Sequence, residues 1–254
     1  MSQLSIVIIT YNEEVTIARC IDSVRAIADE IIVLDSFSTD KTVAIAKEKG
    51  AKIIQEKFQG FTAQKNLVIS HSSHQYIFSI DADEVVSEEL LHSIQIQKQK
   101  DFPADAYEMN RLNFFGPRAI KTCGWYPDTK VRLWNKNLAE WKGGLVHEAW
   151  SFLHSKNDRV IEKLHGDLLH YTYQTKEDLV RQSERFAGLA AKTLKEKNVF
   201  FLLAKMISSA PFKFIRNYFF KLGFTEGELG FTICYYQSVE VFLKYYYAIE
   251  LKYA

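Results

Sequence analysis

The first third of the chain alternates short apolar runs with segments of helical character. The apolar runs predict four strands, over Leu4–Ile9, Glu30–Leu34, Ala51–Gln55 and Tyr76–Ile80. The segments between them predict three helices, over Glu13–Val24, Asp40–Lys49 and Phe61–Ile69. Strands that alternate with helices of this length are typical of βαβ units and an α/β fold with a mostly parallel sheet. Functional side chains of such sheets lie at the carboxyl ends of the strands.

The rest of the chain has a different pattern. Ala106–Phe115 and Lys130–Trp134 predict two further strands, which turn-rich loops connect. Lys176–Leu194 carries apolar residues on one stripe and predicts an amphipathic helix. From Val199 onward the chain is rich in aromatic residues and predicts further helices.

Composition and charge narrow the class of protein. A net charge of +1 gives no overall attraction to nucleic acid, so no nucleic-acid partner is expected. The three cysteines are scattered and form no C-x-x-C pair, which disfavours a disulfide framework or a structural zinc site. We find neither a basic leader nor an apolar run of the about 18 residues that a membrane span needs. These features predict a cytoplasmic protein.

Polar clusters follow three of the predicted strands, at Thr10–Glu13, Asp35–Ser36 and Asp81–Asp83. In extended backbone, residues two apart share a face, so Asp81 and Asp83 point the same way. Two convergent carboxylates favour Mg²⁺ or Mn²⁺, which commonly also binds substrate phosphates. The alternative interpretation is a helix start, in which Ser87 is the N-cap and the acids lie near the positive end of the helix.

Together these segments resemble the family 2 inverting glycosyltransferases of the GT-A fold. The resemblance rests on four segments in order, Ser5–Glu13, Ile32–Asp40, Gln64–Asn66 and Ile80–Glu84. In the second segment, Ser36 and Phe37 replace the more usual Asp and Gly. That variant, together with Gly124–Asp128, Val146–Glu148 and Lys221–Phe224, resembles lipopolysaccharide core glucosyltransferases.

The resemblance implies a Rossmann-like sheet flanked by helices, with a C-terminal helical extension. Residues 1–196 would form the GT-A domain, in which 1–100 bind the nucleotide-sugar and 101–196 face the acceptor. Residues 197–254 would form the aromatic, basic extension. The implied reaction transfers a hexose, glucose by analogy, from a UDP-sugar to a glycan or lipid-linked acceptor such as lipopolysaccharide core.

The resemblance also implies roles for individual residues. Thr10, Tyr11, Glu13 and Asp35 would line the uridine pocket, and Lys65 and Asn66 would contact the diphosphate and sugar. Asp83 would bind the metal together with Asp81, which also contacts ribose or sugar, and His170 would be an additional ligand. Glu148 is the first candidate for the general base and Asp128 the second. Ordinary structural roles remain open for most of them: a helix-start acid for Glu13, a turn residue for Asp35, an exposed helical lysine for Lys65, hydrogen-bonded loop carboxylates for Glu148 and Asp128, and a buried histidine for His170.

The C-terminal segment suggests a surface partner. Between Val199 and Thr225 there is no acidic residue, while Lys205, Lys213, Arg216 and Lys221 are basic. Aromatic residues among cations are typical of a helix that lies on an anionic membrane surface. The alternative is that these helices pack on the core or on another subunit of a homo-oligomer.

Two other functions remain open at this stage. One is a catalytically degenerate sugar-nucleotide-binding fold that acts as a membrane-associated assembly partner. The other is a metal-dependent nucleotidyltransferase, although Glu13 would repel phosphate where such enzymes carry a glycine-rich loop.

Overall fold

The structure is a computed structural model that describes residues 2–143, 148–154 and 159–253, with Glu148 described in its backbone only. The chain packs as two compact units. The first comprises Met1–Leu112 and Asp128–His170, and the second comprises Asn113–Pro127 and Tyr171–Ala254. The predicted boundary between residues 196 and 197 stays a prediction.

Most strands in the described residues belong to one nine-stranded sheet, in the order β3-β2-β1-β4-β8-β6-β11-β5, with β7 paired to β6. Their bounds are β1 Leu4–Thr10, β2 Glu30–Asp35, β3 Lys52–Gln55, β4 Tyr76–Asp81, β5 Glu84–Val86, β6 Ala106–Phe115, β7 Arg118–Ala119, β8 Asp128–Asn135 and β11 Ile161–Tyr173. The first four strands in this order pair in parallel. The pairs β4–β8, β8–β6 and β11–β5 are antiparallel. A separate antiparallel hairpin joins β9 Ala139–Gly143 to β10 Glu148–Phe152.

Helices connect and follow the strands. The first unit contains α1 Ile17–Val24, α2 Thr42–Glu48, α3 Phe61–Ser70 and α4 Glu88–Gln99. The second contains α5 Lys176–Lys192, α6 Val199–Ile215 and α7 Glu228–Tyr253, with a π-helical turn at Arg216–Phe220 and a 3₁₀ turn at Gly223–Glu226. None of the helices in the described ranges combines the length and apolar character needed to cross a bilayer.

The core of the first unit covers both faces of the parallel strands. In β1, Leu4, Ile6 and Ile8 join one buried cluster, and Val7 between them joins the other. Because helices cover both faces, the strand is apolar at nearly every position rather than at alternate ones. This explains why a continuous apolar run marks the strand in the sequence.

The second unit is built around α7, which packs against both α5 and α6. Backbone segments pack closely at Gly230, where a Cβ atom would lie 1.8 Å from the carbonyl oxygen of Gly223. Only glycine fits there without moving backbone. Thr175 begins α5 with a capping box that includes Asp178.

The predicted α/β fold with C-terminal helices is confirmed, and the predicted strands and helices of the first unit are all present. Ser87 is the N-cap of α4, since its hydroxyl accepts a hydrogen bond from the Leu90 N–H at 3.2 Å. The strand-end and helix-start interpretations of Asp81–Asp83 are therefore compatible, because β5 lies between the acids and the helix. The sequence analysis did not predict β5, the β9–β10 hairpin or the long strand β11.

Candidate active site

Polar residues meet at the carboxyl edge of the parallel strands. Thr10 is the register partner of Asp35 across β1 and β2, and Ile9 is the partner of Asp81 across β1 and β4. The three predicted clusters therefore lie side by side, as the sequence indicated. The hydroxyl of Thr10 is buried and has no hydrogen-bond partner among the described residues. A buried hydroxyl without a partner destabilises the fold unless a ligand or a water molecule supplies the missing hydrogen bond.

Asp35 is fully buried and holds the turn that follows β2. Its carboxylate accepts hydrogen bonds from the Ser38 N–H at 3.0 Å, from the Ser38 hydroxyl, and from the Gln55 side-chain amide at 3.0 Å. The turn role weighed in the sequence analysis is thus present in the structure. Tyr11, by contrast, is 58% exposed.

Glu13 is half-buried near the acidic residues of the site. Its carboxylate accepts a hydrogen bond from the Thr16 hydroxyl at 2.6 Å, and its backbone N–H donates to Thr42 at 2.7 Å. Burial raises the pKa of Glu13, and the negative charges of Asp83 and Asp40 raise it further against the lowering effect of Thr16. A cation bound near Asp83 would relieve this repulsion.

Two cations neutralise Asp81. The ammonium of Lys65 lies 3.1 Å from one carboxylate oxygen, and Arg132 donates to the other at 2.9 Å. Burial acts to raise the pKa of Asp81, but the charges of Lys65 and Arg132 outweigh it and hold the pKa well below its usual range. Lys65 is 1% exposed, so it is not the exposed helical lysine that was the alternative interpretation.

Asp83 pairs with His170 instead. The Nε2 atom of His170 lies 3.2 Å from a carboxylate oxygen of Asp83, and both side chains are mostly buried. Burial acts to raise the pKa of Asp83, but His170 outweighs it and lowers the pKa.

The chemistry of this pair fits a divalent ion. The carboxylate of Asp83 and the imidazole of His170 lie side by side, and the negative charge of Asp83 also contributes to the raised pKa of the nearby Glu13. No group of three or more His, Cys, Asp or Glu side chains in the described part of the chain is arranged to hold a metal. The remaining ligands would therefore be substrate phosphate oxygens and water, as is usual for Mg²⁺.

Asn66 makes backbone contacts to the β9–β10 hairpin. Its side-chain N–H donates to the Trp141 carbonyl at 2.8 Å, and its side-chain oxygen accepts from the Trp141 N–H at 3.1 Å. The ring of Trp141 lies under Lys65, with the ammonium 4.7 Å from the ring centroid. Asn66 thus joins α3 to the hairpin through the residue that also contacts Lys65.

Asp128 is held by two cations. Arg111 donates to one of its oxygens at 2.7 and 3.0 Å, and Lys130 lies 2.8 Å from the other. Burial acts to raise the pKa of Asp128, but Arg111 and Lys130 outweigh it and lower the pKa. The other candidate base, Glu148, begins β10 opposite Gly143, and its side chain lies outside the described residues.

Three charged residues that the sequence analysis did not single out complete the site. Arg132 donates hydrogen bonds to both Asp81 and Glu84. Arg111, which donates to Asp128, also lies 3.7 Å from Glu84. A charged residue inside an apolar strand requires a buried partner. Because Arg132 directly precedes the apolar residues Leu133 and Trp134, its position in the sequence indicated a buried ion pair.

Comparison with known proteins places the chain in a family. The sequence model of the family described as "Glycosyl transferase family 2" matches residues 5–163. An uncharacterized glycosyltransferase of Rickettsia typhi is 32% identical over 241 residues, which cover 91% of this chain and 82% of the relative. An uncharacterized glycosyltransferase of Rickettsia felis is 34% identical over 245 residues, which cover 91% of this chain and 84% of the relative.

Among solved structures, glucosyl-3-phosphoglycerate synthase from Mycobacterium tuberculosis, in complex with Mn²⁺, UDP and glucosyl-3-phosphoglycerate, is similar over 45% of this chain and 44% of its own. That match has a TM-score of 0.37 and 24% sequence identity. The family assignment rests on the sequence matches, which extend over most of the chain and agree with the strand-end site. The chain belongs to glycosyltransferase family 2.

Proposed function

We propose that this glycosyltransferase is a metal-dependent, inverting hexosyltransferase that uses a UDP-sugar donor. The observation that carries the proposal is the Asp83–His170 pair at the carboxyl edge of the sheet, beside Asp81 and its partner Lys65. A diphosphate needs both a divalent ion and fixed positive charge, and this edge supplies candidates for each.

The donor nucleoside would lie against the ends of β1 and β2. The unsatisfied hydroxyl of Thr10 and the exposed ring of Tyr11 are available for it. Asp35 would shape the uridine pocket by stabilising the turn after β2, and Glu13 would accept a hydrogen bond from the ribose or the base. These roles come from the family resemblance, and the register of β1 with β2 supports them.

Asp83 and His170 would hold the metal ion, which when bound neutralises charge on the UDP leaving group. Lys65 and Asp81 would lie beside the diphosphate and the donor sugar. Because Asn66 already uses both ends of its side chain on Trp141, its role would be to hold the hairpin rather than to contact substrate.

Glu148 is the proposed general base. Inversion requires a base on the face of the sugar opposite the leaving group, where it removes the proton of the acceptor hydroxyl as that oxygen attacks the anomeric carbon. Two ion pairs and a lowered pKa make Asp128 a weak base, so it suits acceptor binding better. The assignment of Glu148 rests on the resemblance and on its position at the start of β10.

The proposed acceptor is a glycan or lipid-linked saccharide such as lipopolysaccharide core, and the proposed transferred sugar is glucose, both by resemblance. An exposed face of α6 and its π-helical extension supports contact with an anionic membrane. Phe201, Lys205, Phe212 and Arg216 are all exposed and follow one another at helical spacing. A cytoplasmic enzyme resting on the inner face of the membrane would reach such an acceptor. Association of the C-terminal helices with a second copy is the competing proposal.

A UDP-release screen tests the proposed function. Purified protein is incubated with UDP-glucose, UDP-galactose or UDP-N-acetylglucosamine, with Mn²⁺, Mg²⁺ or a chelator, and Asp83→Asn is the control. We expect metal-dependent UDP release with one donor, which the variant loses. UDP binding without release from any donor, in the presence of glycan acceptors, would favour the degenerate fold. Release of pyrophosphate from a nucleoside triphosphate would favour a nucleotidyltransferase.

A further inference from the structure

We infer that Glu84 and Arg132 are positioning residues that shape the turn carrying Asp83 and so determine the metal affinity of the site. This inference rests on the proposed metal-dependent function. Neither residue is assigned a substrate contact, because Glu84 is fully buried and the guanidinium of Arg132 donates to the carboxylates of Asp81 and Glu84.

Glu84 ties the turn together from both sides. One of its carboxylate oxygens accepts the backbone N–H of Asp81 at 2.9 Å, and the other accepts from Arg132 at 2.7 Å. The same Arg132 nitrogen donates to the carboxylate of Asp81 at 2.9 Å. The residues on either side of Ala82 and Asp83 are therefore locked to one guanidinium, which fixes the direction in which Asp83 projects.

The backbone of Glu84 also positions His170. In the β5–β11 ladder, Glu84 is the register partner of His170. A shift of β5 by one residue would turn the side chains of one strand to the opposite face and separate His170 from Asp83. Glu84 thus fixes one ligand through its side chain and the other through its strand pairing.

Asp81 and Asp83 have different partners and therefore different roles in the turn. Arg132 and Lys65 form ion pairs with Asp81, whereas Asp83 lies beside the imidazole of His170. Removal of Glu84 would release Arg132 toward Asp81 and leave the Asp81 N–H without its acceptor. The turn would then lose its fixed geometry although both aspartates remain present.

A pair of variants separates positioning from plain stability. In Glu84→Gln, the amide has one oxygen for two donors, so either the Asp81 N–H loses its acceptor or Arg132 loses its bond to residue 84 and keeps its bond to Asp81. In Glu84→Met/Arg132→Met, both members of the buried pair are removed together, and Lys65 still compensates Asp81, so the double change should cost less stability than removal of one charge alone. Neither variant can lock the turn as the wild-type pair does. Glu108→Gln makes the same chemical change on β6 and serves as the matched control.

The experiment measures Mn²⁺ affinity in the presence of UDP by electron paramagnetic resonance, UDP affinity without metal by calorimetry, and unfolding in urea. For Glu84→Gln we expect at least about tenfold weaker Mn²⁺ binding, the usual scale for a residue that supports a metal ligand, with metal-free UDP affinity unchanged. For the double variant we expect a smaller loss of stability than removal of one charge alone would cause, and Mn²⁺ binding still at least about tenfold weaker.

Two results would overturn the inference while leaving the proposed function intact. One is wild-type Mn²⁺ affinity in Glu84→Gln, and the other is recovery of that affinity together with stability in the double variant. Absence of Mn²⁺ binding in the wild-type protein would overturn the metal-dependent function itself, and the inference with it.

Discussion

The Nε2 atom of His170 lies 3.2 Å from a carboxylate oxygen of Asp83, although the two residues come from distant parts of the sequence. The contact exists because β11 returns to the sheet and pairs with the short strand β5, directly after the turn that carries Asp83. A carboxylate and an imidazole meet at the edge where the sequence predicted a metal site.

This pair yields a first prediction about metal-dependent donor binding. Asp83→Asn and His170→Ala should each weaken UDP binding in Mn²⁺, the first more strongly because it removes the charged ligand. Isothermal titration with Mn²⁺ and with a chelator measures the effect. Asp22→Asn, on a surface ion pair of α1, is the control and should bind as wild type does. Unchanged, metal-dependent affinity in Asp83→Asn would remove this residue from the metal site.

The second prediction concerns Asp81, whose ion pairs should stabilise the folded protein at neutral pH. Its pKa is lowered in the folded protein, so its ion pairs stabilise the fold above the unfolded-state pKa of about 3.9, and this contribution is lost as the pH falls further through the folded-state pKa. Asp81→Asn leaves Lys65 and Arg132 facing a neutral group and should cost about 3–5 kcal/mol at about pH 7. Urea unfolding between about pH 7 and about pH 2 should show less acid destabilisation in the variant than in wild type, with the difference developing below about pH 4. An equal loss in both proteins would contradict the assignment.

The contacts of Asn66 lead to a third prediction, about the hairpin. Asn66→Ala removes two hydrogen bonds to the Trp141 backbone and leaves a buried N–H and carbonyl without partners, at a cost of about 1–3 kcal/mol. Hydrogen exchange at the Trp141 amide should accelerate, while UDP affinity changes little. A large loss of UDP affinity with normal exchange would instead restore Asn66 as a substrate contact.

The sequence predicted the part of the site that depends on local pattern. Apolar runs followed by polar residues place Thr10, Asp35 and Asp81 at strand ends, and parallel pairing then brings them together without further information. The same argument could not predict the ion pairs of Asp81, because Lys65 and Arg132 reach it from α3 and β8.

The roles of individual residues depended on pairings that no short pattern encodes. β11 carries few of the alternating apolar positions that indicate a half-buried strand, so the approach of His170 to Asp83 had no local signal. Asn66 belongs to a motif that resembles a substrate contact, yet the β9–β10 hairpin occupies its side chain. Sequence thus indicated which side chains gather at the edge, and packing decided what each one contacts.

The fourth prediction concerns the general base. Glu148→Gln preserves shape but cannot accept a proton at neutral pH, so kcat should fall at least about a hundredfold while UDP affinity stays nearly constant. Asp128→Asn should instead act mainly on KM for the acceptor, because Arg111 and Lys130 already hold this carboxylate. Steady-state kinetics with an acceptor that the enzyme glycosylates measures kcat and the KM for the acceptor. An active Glu148→Gln beside an inactive Asp128→Asn with normal donor affinity would transfer the role to Asp128.

The last prediction concerns the exposed face of α6 and its π-helical extension. Lys205 and Arg216 are exposed among Phe201 and Phe212, whereas Lys213 is partly buried, and burial lowers its pKa. Each exposed cation near an anionic bilayer contributes about 1 kcal/mol, and the contribution falls as salt is added. We therefore expect salt-sensitive co-sedimentation with vesicles that contain phosphatidylglycerol and little with neutral vesicles.

Charge reversal at this face separates membrane binding from helix packing. Lys205→Glu/Arg216→Glu should release the protein from anionic vesicles and leave UDP affinity unchanged, because the donor residues belong to the first unit. Lys47→Glu/Lys52→Glu makes the same change in charge on exposed residues of α2 and β3 and should bind vesicles as wild type does, apart from the small effect of net charge. Equal binding of wild type to neutral and anionic vesicles, or none to either, would mean that the aromatic face packs against protein. A concentration-dependent dimer that Phe212→Ser disrupts would then identify a second copy as its partner.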